Sequence, residues 1–193
     1  MVKRNKVPLK IIVVAHGYSE VCLCKNICSS LKIKYKCYSR NNGKNSIQIG
    51  SLLDVLKSTD NFKTLRSFKK HYEDIVGMDF KIFPIMDVDD CINENQKEEY
   101  ISGEMFKGLW LANRIVPIYN KENLEDVLKK AGHEYFKTNK SNYIRVFPTN
   151  EGKNAKLNDV LELKEKFEKI PDFTNFAVFI NECLMIAKEN EIK

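Results

Sequence analysis

Residues 80 to 90 read Phe80-Lys81-Ile82-Phe83-Pro84-Ile85-Met86-Asp87-Val88-Asp89-Asp90. A short apolar run that breaks into carboxylates has the form of a buried strand followed by the loop at its C-terminal end. In an α/β protein that end of the sheet is where ligands bind. Carboxylates this close repel one another unless positive charge lies between them, and a divalent cation supplies it compactly. Pro84 lacks a ladder donor, so this strand is expected at a sheet edge or with a bulge.

Upstream, Ile11-Ile12-Val13-Val14-Ala15 is a second buried strand, closed by His16-Gly17-Tyr18-Ser19-Glu20. The spacing of Val21, Leu23, Cys24, Ile27, Cys28 and Leu31 predicts a helix over 20–31 with Ser19 as its N-cap. Residues 33–38 alternate as a half-wet strand, and 40–46 form a polar loop turning at Asn42-Gly43. Helices are expected over 48–57 and 61–75. The second carries Phe62, Leu65, Phe68, Tyr72 and Ile75 on one stripe and stops at Gly77.

Downstream, 93–111 reads as helical, interrupted by Gly103 and Gly108, and 114–119 reads as a strand. A helix capped by Asn123 stops at Gly132, and Tyr143 to Phe147 form a short strand or bend. From Leu157 two helices follow, broken at Pro171-Asp172. Thr174 caps the second, which would bury Phe176, Phe179, Ile180, Cys183, Leu184 and Ala187. Trp110 is expected in the core, and Tyr35 and Tyr38 read as strand packing.

Strands alternating with helices predict an α/β fold: a three-layer, Rossmann-like, mostly parallel sheet with a C-terminal helical extension. The α/β domain is expected over 1–150, with the helices of 151–193 packing on it. The chain has 193 residues, 43% of them hydrophobic, which supports a normal core and excludes global disorder. A net charge of +6 permits contact with a polyanion without requiring it. The six cysteines contain no C-x-x-C pair and read as buried thiols in a reducing cytoplasm. Neither a signal peptide nor a run of about 18 apolar residues is visible, so a cytoplasmic protein without membrane contact is expected.

In such a sheet the loops after the first and third strands face a common cleft. Glu20, Asp87 and Asp89 are then the natural trio for a hard cation, magnesium or manganese, held through oxygen. Asp90 is a further metal ligand or a second-layer partner. His16 can ligate a metal or act as a general base near neutral pH. Each piece also has a plain structural reading. The aspartates suit a turn, Glu20 a solvated first-turn acid favoured by the helix dipole, and His16 a satisfied histidine beside a glycine turn.

The two motifs together, His16-Gly17-Tyr18-Ser19-Glu20 and Asp87-Val88-Asp89, resemble the Toprim domain over about residues 10–130. The likeness is to the variants in overcoming-lysogenization-defect nucleases and RloB-like proteins. These read Glu-Gly-x-Ser/Thr-Glu after the first strand and Asp-x-Asp after the third. Position 16 departs from that pattern, with histidine where the family has glutamate. The resemblance implies magnesium- or manganese-dependent phosphodiester cleavage, with Glu20, Asp87 and Asp89 on the metal and His16 orienting or deprotonating the nucleophile. A role in a mobile element or in phage defence is part of what it implies, as are nucleic-acid partners, DNA or RNA. Arg40, Lys44 and Arg114 would neutralise phosphates. Asn123-Leu124-Glu125 is similar to an Asn-x-Glu element of some RloB-like chains, and an ordinary helix cap accounts for it equally well.

Two other functions suit the same residues. An Asp-Val-Asp at a strand end also serves manganese-dependent glycosyltransferases. A phosphatase pattern would need threonine where Cys91 stands. A Toprim-like module whose site has lost its key glutamate could bind nucleic acid, a protein partner or a second copy of the chain without catalysis.

Overall fold

The structure, a computed structural model, describes residues 7–77, 79–133, 147 and 157–191. Four strands form one all-parallel sheet: β1 (Ile11–Ala15), β2 (Tyr35–Tyr38), β3 (Lys81–Asp87) and β4 (Ile118–Asn120), in the order β2-β1-β3-β4. Seven helices accompany them among the described residues: α1 (Tyr18–Ser30), α2 (Ile49–Ser58), α3 (Leu65–His71), α4 (Glu94–Ser102), α5 (Leu124–Lys130), α6 (Leu157–Glu168) and α7 (Phe176–Glu191). The α/β class and the parallel sheet are those the sequence predicts.

The strand order dictates the layers. The chain passes from β1 to β2 on one side, then returns across β1 to β3 and onward to β4. Right-handed crossovers therefore put α1 on one face and α2, α3 and α4 on the other. Strand parity follows. Ile11, Val13, Ala15, Phe83 and Ile85 pack with α1, α5, α6 and α7. Ile12, Val14, Ile82 and Met86 pack with Leu52, Phe68, Tyr100 and Phe106 on the opposite face. Both faces are covered, which is why β1 and β3 are apolar without alternation.

Pro84 is not at an edge, as the sequence suggested. It lies in β3 between β1 and β4, its Cα opposite Val14. The Lys81 N–H reaches the Lys10 carbonyl and the His16 N–H reaches Ile85, so odd residues of β3 address β1. Even residues, Pro84 among them, address β4. There the ladder is open between the Ile82–Ile115 bridge and the Ile85–Ile118 pair. The Tyr100 hydroxyl fills that gap, 2.9 Å from the Pro84 carbonyl oxygen and 2.8 Å from that of Ile118. The missing donor falls in this break, just after the Val116 N–H has bonded the Ile82 carbonyl at 2.8 Å.

Other elements depart from expectation for local reasons. α1 starts at Tyr18 with Gly17 as N-cap, because the Glu20 carboxylate reaches back to the Gly17 N–H at 2.8 Å; Ser19 is inside the helix. α3 begins at Leu65, since the Thr64 hydroxyl accepts from the Ser67 N–H. That places Leu65 at a 43% exposed position and Phe62 in the turn before the helix. α3 ends at His71, so Gly77, at φ +65°, belongs to a later turn and does not stop it. Trp110 is 38% exposed. It sits at the rim of the Phe62–Phe68 cluster, with Nε1–H donating to the Phe62 carbonyl at 2.8 Å. Asn123 caps α5 and Thr174 accepts the Phe176 N–H at the head of α7. In α7 the buried positions include Ile186, while Leu184 and Ala187 are half-buried. The strand or bend expected at 143–147 lies outside the described residues except Phe147, which is buried. No helix among the described residues is long and apolar enough to cross a membrane.

Candidate functional site

β1 and β3 are neighbours, but the chain leaves them in opposite directions. Their C-terminal ends therefore open a crevice, the position where open parallel sheets take ligands. His16 and Gly17 leave β1 here, and Asp87 ends β3. A cleft of about 170 Å³ opens between them, lined by His16, Gly17, Ser19, Asp87, Asn123 and Glu125 among others. The loop after β2 covers one side. Its Ile47 N–H donates to the His16 carbonyl at 2.8 Å. Gly43, at φ +82°, passes so close to α1 that a Cβ there would meet the Tyr18 Cα at 2.7 Å.

Asp87 is 6% exposed. Burial, then the nearby Glu20 carboxylate, push its carboxyl group up to about 9, against a hydrogen bond from Asn120 Nδ2 to Oδ1 at 3.0 Å. Asn120, fully buried at the end of β4, is oriented in turn by the Thr174 hydroxyl, 2.9 Å from its Oδ1. Glu20 is 1% exposed, so it is not the solvated first-turn acid of the plain reading. Burial raises its pKa, opposed by the His16 ring and by the Glu20 and Gly17 N–H groups, with the Glu125 charge adding to the rise.

Three of the expected residues lie near enough to act on one another through their charges, Glu20 from α1, Asp87 from β3 and His16 from the turn between β1 and α1. Asp89 is exposed on the 3₁₀ turn Val88–Asp90. Asp90, on the same turn, faces His16, with Oδ2 3.4 Å from Nδ1. Nε2 of that ring is 3.9 Å from Asp87 Oδ2. His16 is not a satisfied histidine: its Nδ1 and the Asp90 Oδ2 are buried without a hydrogen-bond partner. Arg40 and Lys44 are exposed on the loop beside the cleft. Arg114 lies elsewhere: its guanidinium is over the Phe80 ring, at the N-terminal edge of β3. It is placed there because it precedes β4, and parallel strands begin at the edge opposite the cleft.

Reading by residue type missed Asn120 and undervalued Glu125 and Thr174. Glu125 fits an ordinary helix cap, yet the Ser19 hydroxyl donates to its Oε1 at 3.2 Å and its side chain lines the cleft. Asn120 carried one usable signal: like Asp87, it is a polar residue closing an apolar strand.

Chemically the donor set is rich in oxygen. Burial first, and the Glu20 charge after it, favour the proton on Asp87. Among the described residues no three acidic, histidine or cysteine side chains stand together as a ready metal shell. Glu20 Oε2 and Asp87 Oδ1 are engaged by N–H donors, so a cation would rely on their remaining oxygens, on rotation of Glu125 and Asp89, and on water. The buried cysteines Cys22, Cys24, Cys28 and Cys183 are free thiols in the core. No family model, curated protein or solved structure matches the chain.

Proposed function

We propose that this protein is a Toprim-like, metal-dependent phosphodiesterase acting on nucleic acid. One observation carries the reading. At the crossing point of a parallel sheet, Asp87, Glu125 and His16 line a cleft that opens to solvent, with the buried Glu20 carboxylate close enough to act on Asp87. The cleft supports it by size as well: at about 170 Å³ it is below the roughly 300–1,000 Å³ that encloses a whole small-molecule ligand. It takes a phosphate group while the remainder of a polymer stays outside.

Asp87, Glu20 and Asp89, with Glu125, are the residues to hold magnesium or manganese. Bound there, such a cation would stabilise charge on the attacking and leaving oxygens of a phosphodiester. The N-terminus of α1, at Gly17 and Tyr18, presents its partial positive charge to the phosphate. His16 orients the nucleophilic water or takes its proton. Arg40 and Lys44 contact flanking phosphates from the loop after β2.

The test is nicking of supercoiled plasmid DNA and cleavage of single-stranded RNA with Mg²⁺ or Mn²⁺. Asp87→Ala is expected to lower the rate by about 100-fold or more, since the cation that Asp87 would hold supplies several kcal/mol of charge stabilisation. Its circular dichroism should be unchanged. A variant that cuts as well as the wild type ends this assignment. A second reading, a non-catalytic nucleic-acid or protein binding module, is favoured by one observation: Glu20 Oε2 and Asp87 Oδ1 are already bonded by the Gly17 N–H and Asn120 Nδ2. Retention of nucleic acid without cleavage under any divalent cation selects it. Release of a nucleoside diphosphate from a sugar donor would instead identify the glycosyltransferase alternative.

A further inference from the structure

We propose that Asp90 is a positioning residue: it holds His16 in the tautomer with its proton on Nδ1, so that Nε2 presents a lone pair to the cleft. The two side chains face each other, with His16 Nδ1 3.4 Å from Asp90 Oδ2. Both atoms are buried, and neither has a hydrogen-bonding partner elsewhere. A carboxylate only accepts, whereas a neutral imidazole offers one donor and one acceptor. The Nε2–H tautomer would set a nitrogen lone pair against a carboxylate oxygen where water cannot separate them. The Nδ1–H tautomer turns the same contact into an N–H pointing at an acceptor, and a slight ring rotation brings it to bonding distance.

Both partners are fixed from the backbone outward. The His16 N–H donates to Ile85 at 3.0 Å and its carbonyl accepts from Ile47 at 2.8 Å, so the residue is pinned between β3 and the loop after β2. Asp90 is carried on the 3₁₀ turn Val88–Asp90, directly continuous with β3. The other ring nitrogen is open: Nε2 is 3.9 Å from Asp87 Oδ2, beyond hydrogen-bond reach, and His16 lines the cleft. Asp90 is therefore separated from the cation ligands expected at this site. Its inner oxygen has no open surface, so a hydrated cation has no approach to it.

The use of Nε2, accepting a hydrogen bond from the attacking water, rests on the phosphodiesterase reading; the tautomer does not. The deciding measurement is the ¹⁵N and ¹³C shifts of the His16 ring in the full-length, metal-free protein at about pH 8, where a free imidazole is neutral. The signal is assigned by its loss in His16→Gln. The expected wild-type result is the Nδ1–H tautomer, with Nε2–H becoming the major form in Asp90→Ala. A wild type that carries Nε2–H, or a doubly protonated ring, overturns the inference without recourse to any variant. Mn²⁺ binding followed by electron paramagnetic resonance should be unchanged in Asp90→Ala. If that variant loses Mn²⁺ while the tautomer stays, Asp90 is a ligand and the inference fails. If the wild type cuts nucleic acid, Asp90→Ala should lower kcat by about 10- to 100-fold with KM little changed. If no cleavage is found but the shifts are as expected, the function assigned above falls and the positioning role stands.

Discussion

Asp87 is a carboxyl group in surroundings that favour its proton, and this has a consequence for stability. Burial and the Glu20 charge raise its pKa from the ordinary 3.8 to about 9. Between those values the folded chain holds a proton that the unfolded chain has released. Stability from this group is thus complete below about pH 4 and declines as pH rises toward about 9. Metal-free protein is expected to lose melting temperature over that interval, and Asp87→Asn, which carries no ionisable proton there, should flatten the decline. Thermal melts at several pH values decide it; an equally steep fall in the variant would show that Asp87 is not the group responsible. The residue scale is also where sequence reading was least complete. The aspartates after β3 stood out because three acids in a row of four are conspicuous. Asn120 and Thr174, which orient Asp87, are ordinary polar residues whose role depends on a side chain 33 positions away in the chain and another 54 positions away.

At the scale of elements, Pro84 shows how a local rule can be overridden. A proline inside a strand argues for an edge, yet β3 is central, and the missing donor falls in a break of its ladder with β4, between the Ile82–Ile115 bridge and the Ile85–Ile118 pair. Tyr100 on α4 supplies the polar atom in that gap. Tyr100→Phe should remove a buried hydroxyl whose single proton serves the two carbonyls and destabilise the protein by about 1–3 kcal/mol, read from urea unfolding. Hydrogen exchange should quicken first in β4. A change below about 0.5 kcal/mol would mean that the hydroxyl carries no net weight there. The stretch Phe173–Asn175 acts on the same strand from outside. The Lys121 N–H donates to the Phe173 carbonyl at 2.8 Å. The Tyr119 N–H donates to Asn175 Oδ1 at 2.7 Å, and Thr174 bridges to Asn120. An edge strand of three residues is thereby covered, and its last residue is held against Asp87.

At the scale of the whole molecule, α6 and α7 complete one layer and are not an appendage. Val160, Leu163, Phe167, Phe176, Phe179, Ile180, Cys183 and Ile186 are buried in one cluster with Ile11, Val13 and Phe83. Each large apolar side chain contributes about 1.5–3 kcal/mol on burial, so the set rivals the roughly 5–15 kcal/mol by which a domain is stable at all. Truncation before residue 157 is expected to yield protein that binds hydrophobic dyes and unfolds without a cooperative transition. A sharp two-state melt from the truncated chain would show that the α/β part stands alone. By itself the sequence determined the alternation of strands and helices, the parallel class of the sheet, and the two acidic turns at its C-terminal edge. Periodicity, caps and strand-end polarity are properties of neighbouring residues, and they survive in a linear text. Only the tertiary structure decided that β3 is central, that Glu20 is buried, that Glu125 and Asn120 join Asp87, and that Asp90 turns to His16. Those outcomes depend on which strands become neighbours, and crossover handedness and the packing of two apolar faces settle that far from each residue's own surroundings.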